Sequence, residues 1–98
     1  MHGSTTGQAT HRRVCHFSGR VQGVGFRYTV QNLAVQYNVG GYIKNLSDGR
    51  VELLIEGPDE EMERLLGDVS RKMGCYIQAV DQKVDQATGE FDHFAVRH

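Results

Sequence analysis

The order of hydrophobic periods along this chain predicts an α+β fold, βαββαβ, with two helices packed on one face of a four- or five-stranded, mostly antiparallel sheet. Three observations carry that prediction. Two amphipathic helical stripes, one from Phe26 and one after Pro58, each follow a stretch that reads as strand. An Asp48-Gly49 pair separates two strand-like runs, YIKNL and RVELLIE, which is a strong hairpin signal. Glycines stand where the elements should change, at positions 19 to 25, 40, 41, 57 and 74.

The first strand is RVCHFS, residues 13 to 18, where Cys15 and Phe17 alternate with His16 and mark the buried face. Phe26, Val30, Leu33, Ala34 and Tyr37 then fall on one helical stripe, which Asn38 and Gly40-Gly41 are expected to stop. In the hairpin, Val51, Leu53 and Ile55 share a face, with Glu52, Glu56 and Leu54 on the other. Pro58 suits the first turn of the second helix, and Asp59, Glu60 and Glu61 near its start and Arg71 and Lys72 near its end suit its dipole. Met62, Leu65, Leu66, Val69 and Met73 form its stripe, and Gly74 ends it. Residues 76 to 85 read as extended, 86 to 90 as a loop and FAVR, 94 to 97, as a last strand.

The chain of 98 residues is long enough for one core and too short for two. Residues 11–98 are expected to form one domain, and the polar stretch 1–10 a disordered leader without the apolar run of a secretory signal. Eleven basic against twelve acidic side chains give a net charge of −1, without the excess of a general nucleic-acid binder. No apolar run approaches a membrane span, and two cysteines are too few for a disulfide scaffold. The expectation is a cytoplasmic monomer that binds neither nucleic acid nor membrane.

The stretch GRVQGVGFR, residues 19 to 27, joins the first strand to the first helix. A helix start exposes amides without intrahelical partners and carries partial positive charge, so it favours an anion. Gly23 and Gly25 let those amides turn inward, and Arg27 can close its fork over the same anion. The stretch contains neither the G-K-[ST] of a Walker loop nor a G-x-G-x-x-G fingerprint. In a split βαβ topology the second strand ends beside this loop, which brings Asn45 there. Its amide can hold and aim a water, or it can simply cap the hairpin.

Together these residues resemble the acylphosphatase family, small hydrolases of acyl phosphates. The first family motif is matched by Gly19 through Arg27, and the second by GYIKNLSDGRVELLIEG, residues 41 to 57, with Asn45, Gly49, Val51 and Gly57. Ile43 departs from the smaller residue usual at its position. The resemblance covers residues 11–98 and implies a ferredoxin-like fold. It also implies that Arg27 and the loop Arg20, Val21, Gln22, Gly23, Val24, Gly25 and Phe26 bind phosphate, and that Asn45 positions the attacking water.

That chemistry closes without cofactor or metal. The leaving carboxylate, whose acid has a pKa of about 4, needs no general acid. Phosphoryl transfer rests on positioning and charge stabilisation. The expected substrate is a small-molecule acyl phosphate, the products a carboxylate and inorganic phosphate. A non-enzymatic module binding acyl phosphate or carbamoyl phosphate is the alternative; it would keep the loop and Arg27 but need no water-aiming group. A cysteine phosphatase requires C-x5-R, whereas CHFSGR is C-x4-R. The histidines at 2, 11, 16, 93 and 98 show no chelating repeat, and RVELLIE lacks the aromatics of an RNA-binding sheet.

Overall fold

A computed structural model describes residues 9–98 of the chain. The expected leader lies outside the described residues up to position 8. Ala9 already holds the fold, accepting a hydrogen bond from the Asp59 amide (2.9 Å). The elements are β1 (Thr10–Gly19), α1 (Phe26–Ala34), β2 (Gly40–Asn45), β3 (Val51–Pro58), α2 (Asp59–Met73), β4 (Ile77–Gln86) and β5 (Phe94–Arg97), with a 3-10 turn at Gly74–Tyr76. The five strands lie in the order β4-β1-β3-β2-β5. All neighbours are antiparallel except β2 and β5, which run parallel. The predicted α+β class and the βαββαβ order of elements along the chain are therefore found, with both of the last two extended segments in the sheet.

One face of the sheet is the core face. Cys15 and Phe17 of β1, Ile43 of β2, Val51, Leu53 and Ile55 of β3 and Phe94 of β5 are buried with Phe26, Val30 and Leu33 of α1 and Met62, Leu65, Val69 and Met73 of α2. Removing each such side chain from water contributes about 1.5–3 kcal/mol, which is why these stripes dictate the layers. Arg13 shares this face and is buried too, its guanidinium set 3.4 Å from Asp59 and 3.3 Å from Glu63.

The other face carries paired charges. Arg12 donates to Glu56 (2.7 Å), while His16 Nε2 and the Tyr42 hydroxyl meet the two oxygens of Glu52 at 2.8 and 2.7 Å. Leu54 lies on this face among the glutamates, as the alternation predicts, and is nevertheless buried; its register neighbours are Val14 and Tyr42.

Several boundaries differ from the sequence reading. β1 runs from Thr10 to Gly19 rather than over 13 to 18, and Pro58 ends β3 and caps α2 rather than lying in its first turn. Two further changes lie at the end of α1 and the start of β2. α1 ends at Ala34, before Asn38, because the chain tightens into i→i+3 bonds from Gln36 to Leu33 and from Tyr37 to Ala34. Tyr37, the last residue of the predicted stripe, is half-buried and reaches α2 through a hydrogen bond from its hydroxyl to Asp68. Gly40 and Gly41 open β2 rather than capping the helix. A Cβ on Gly41, at φ +141°, would stand 1.9 Å from the Leu54 carbonyl oxygen, so the β2–β3 backbones approach where only glycine fits.

Candidate active site

The segment between β1 and α1 is built by alternation. Val21 and Phe26 are fully buried or nearly so, Phe26 packing on Phe17 at 5.3 Å between ring centroids, and Val24 is half-buried against the same core. Between these anchors Gly23 and Gly25 are exposed, with φ of +79° and +77°. That left-handed geometry costs a side-chain-bearing residue roughly 1–2 kcal/mol, so glycine is the residue that lets this backbone turn outward. Val21 and Phe26 thus belong to the loop through their backbone, their side chains being committed to the core. Arg20 is exposed, and its amide donates to the Tyr76 carbonyl (2.9 Å), tying the loop start to the 3-10 turn that precedes β4.

The N-terminus of α1 is left open. Gly25 is its N-cap, no side chain caps the first turn, and no acidic residue lies in it. α2 contrasts, with Asp59, Glu60 and Glu61 in its first turn. Unpaired amides and partial positive charge therefore face outward beside Gly23 and Gly25.

Gln22 is the strut. Its side-chain amide donates to the carbonyls of Leu46 (2.8 Å) and Arg50 (3.0 Å), pinning the glycine loop to the β2–β3 hairpin. Asn45 is the last residue of β2, just before that hairpin. Its Oδ1 is buried and without a hydrogen-bond partner, an arrangement that costs on the order of 1–3 kcal/mol unless a ligand or water fills it.

Arg27 approaches from the other side. Its Nη1 donates to the Arg97 carbonyl (3.0 Å) and lies 3.3 Å from His98 Nδ1. Among the described residues both contacts use Nη1, leaving Nε and Nη2 of the fork for another acceptor. The parallel β2–β5 register pairs Lys44 with Arg97, so Asn45 and His98 follow on adjacent strands. The structure thus gathers the glycine loop, Arg27 and Asn45 at one end of the sheet.

Residue-by-residue reading missed two contributions: the strut of Gln22, and the Arg97 carbonyl that receives Arg27. Glutamine in a loop carries no signal of its reach, and the carbonyl's place depends on a parallel pairing that no local pattern encodes. β5 is itself steadied by Arg97, whose guanidinium sits 4.0 Å from the Tyr42 ring centroid. Burial, then the bond to Glu52, pushes the Tyr42 hydroxyl up to about 12, so it remains a donor. Burial also pushes the Cys15 thiol up to about 11. Cys15 is a protonated core residue at neutral pH and no nucleophile, in keeping with the wrong spacing of CHFSGR.

Comparison with known proteins agrees with this geometry. The family model "Acylphosphatase" matches residues 13–96. An acylphosphatase of Deinococcus radiodurans is 44% identical over 73 residues, covering 74% of this chain and 84% of that protein. One from Colwellia psychrerythraea is 49% identical over a shorter stretch of 53 residues, which spans 54% of this chain and 60% of that protein. The crystal structure of acylphosphatase from Bacillus subtilis superposes with a TM-score of 0.81 at 31% identity, covering 92% of this chain and all of that one. The two helices and five-stranded sheet of this chain are the ferredoxin-like arrangement that the resemblance implies. A match over nearly the whole described fold, with a like structure behind it, places this chain in the acylphosphatase family, whose members are hydrolases.

Proposed function

We propose that this protein is a metal-independent acylphosphatase, hydrolysing the carboxyl–phosphate bond of small acyl phosphates to a carboxylate and inorganic phosphate. The observation that carries the reading is the buried, unpartnered Asn45 Oδ1 standing at the sheet end shared with the uncapped start of α1. A module that only binds phosphate needs the loop and Arg27; it has no use for an orphaned acceptor beside them.

In the proposed reaction the phosphoryl oxygens take the loop amides after Arg20, from Val21 to Phe26, and the free donors of Arg27, which match a phosphate's charge and lone pairs, while the Arg20 amide stays on the Tyr76 carbonyl and its exposed guanidinium adds positive charge at the loop. Asn45 accepts a hydrogen from water and aims its oxygen at phosphorus, in line with the departing carboxylate. That leaving group needs no proton, and positive charge stabilises the metaphosphate-like transition state. The water's proton passes to a phosphoryl oxygen as the P–O bond forms. Every residue in this scheme comes from one chain. The free cysteines, Cys15 buried and Cys75 exposed, support a reducing compartment, and we assign the protein to the cytoplasm. No helix among the described residues is long and apolar enough to cross a membrane.

The test is hydrolysis of benzoyl phosphate with and without EDTA by wild type, Arg27→Ala and Asn45→Ala. The expected result is EDTA-resistant turnover that each substitution lowers by at least about a hundredfold, the effect of losing a transition-state donor or an aligned nucleophile. Folded wild type that binds acyl phosphate without turnover would reduce the protein to a binding module.

A further inference from the structure

Arg20 enters the glycine loop from a fixed root. Its amide is held by the Tyr76 carbonyl, and Gly19 before it lies so close that a Cβ there would stand 2.5 Å from the same oxygen. Val21 after it is fully buried. The backbone is thus pinned on both sides, while the side chain is exposed and meets no acceptor among the described residues. Every other described arginine is committed. Arg12, Arg13, Arg50, Arg64 and Arg71 meet carboxylates, Arg27 meets the Arg97 carbonyl and Arg97 stacks on Tyr42.

The placement of Arg20 gives its free fork a use, on the acylphosphatase reading of the site. In phosphoryl transfer the leaving oxygen departs roughly in line with, and opposite to, the attacking water. Asn45 brings that water from the end of β2, and β3 and β1 lie between β2 and β4. Across the cradle from Asn45, the leaving group therefore heads for the side where β1 meets the turn before β4. Arg20 is rooted there.

We propose that Arg20 is a specificity-determining residue, binding a carboxylate carried on the acyl group, so that the preferred substrates are the monoacyl phosphates of dicarboxylic acids. A guanidinium fork donates two parallel hydrogen bonds to a carboxylate, and a single guanidinium balances a single charge. A second phosphoryl group, with nearly two charges, would need a second cradle. An uncharged acyl group leaves the fork in water and gains only the general attraction of the loop for its phosphate. The surrounding charge favours the same class. The acidic start of α2, Asp59 to Glu61, lies at the other end of that helix, whereas its last turn, with Arg71 and Lys72, leads through Gly74–Tyr76 to Arg20. Asp48, in the hairpin after Asn45, is already held by Arg50 (2.9 Å).

The test is kcat/KM for 4-carboxybenzoyl phosphate against benzoyl phosphate at pH 7, where the ring carboxylate is ionised. The two share the ring and the departing carboxylate, so their ratio isolates the added charge. Wild type is expected to favour the carboxylated substrate. Arg20→Gln, which takes charge from the loop, slows both and is expected to lower the ratio about fivefold, the scale of an exposed ion pair. Lys72→Gln removes an exposed cation at the same end but off the loop, and should leave the ratio within about twofold. Circular dichroism verifies that both variants are folded. No preference in wild type, an unchanged ratio in Arg20→Gln or an equal fall in Lys72→Gln would each overturn the role of Arg20, with benzoyl phosphate turnover still upholding the acylphosphatase. Benzoyl phosphate left unhydrolysed by wild type would remove that reading and this one together.

Discussion

At the scale of single residues, the candidate site depends on Gln22 as much as on the groups that meet phosphate. Its two bonds to the hairpin carbonyls fix how the glycine loop faces Asn45. Gln22→Ala is expected to cost about 1–2 kcal/mol in urea unfolding, from two lost bonds and newly unpaired carbonyls. It should also raise KM for acyl phosphate, because a loosened cradle binds less well; unchanged KM would detach the strut from the site. Glu52 offers a pH test. Burial by itself raises its carboxyl, but bonds from Tyr42 and His16 and the nearby Lys44 charge overcome that and hold it below the usual range. With the folded value below the unfolded one, the carboxylate stabilises the fold above about pH 4.3, the ordinary glutamate value. That contribution is lost as pH falls through the lowered folded value. The melting temperature of Glu52→Gln should therefore trail wild type at pH 7 and approach it below about pH 4.

At the scale of elements, the two kinds of glycine separate cleanly. A Cβ at Gly25 meets nothing within 4 Å, whereas one at Gly41 meets the Leu54 carbonyl at 1.9 Å. Gly25→Ala should cost roughly 1–2 kcal/mol, the left-handed penalty alone, and leave a folded protein with a distorted cradle. Gly41→Ala should prevent cooperative folding, since backbone cannot yield as a flexible side chain can. Thermal melts of the two variants decide this, and similar losses would refute it. The same contrast explains what was legible in the sequence. Strand and helix periods, the Asp48-Gly49 turn and the glycine loop are local patterns, and each marks an element found in the structure. The end of α1 is not legible in the sequence because Gly40-Gly41 looks like a helix stop, whereas its real use, a close strand approach, is a tertiary contact. The Arg97 carbonyl beside Arg27 was invisible for the same reason, as it depends on β5 pairing with β2 across about fifty residues of chain.

At the scale of the whole molecule, charge is distributed by function. The open sheet face is knitted by Glu52 and Glu56. Burial alone would raise the Glu56 carboxyl; the amides of Thr88 and Gly89 and the Arg12 guanidinium hold it low. Glu56 thereby fastens the connection between β4 and β5, and with it the strand that carries the Arg97 carbonyl. The start of α1 is free of acidic side chains, and the edge at β4 alternates Asp81, Lys83 and Asp85, charges of the kind that guard an open sheet edge.

β1, finally, lies between β3 and β4, with Cys15 opposite Leu53 on one side and Gln82 on the other. Neither neighbour is close to it in sequence. As the chain is made, its earliest described strand waits for both flanking strands to emerge, holding an apolar face and two unpaired backbone edges open to water. Contacts this distant in sequence close slowly, so refolding should fall in the millisecond-to-second range of non-local sheets rather than the microseconds of helical bundles. During that interval the nascent β1 is the segment most exposed to capture by a chaperone or another unfinished chain.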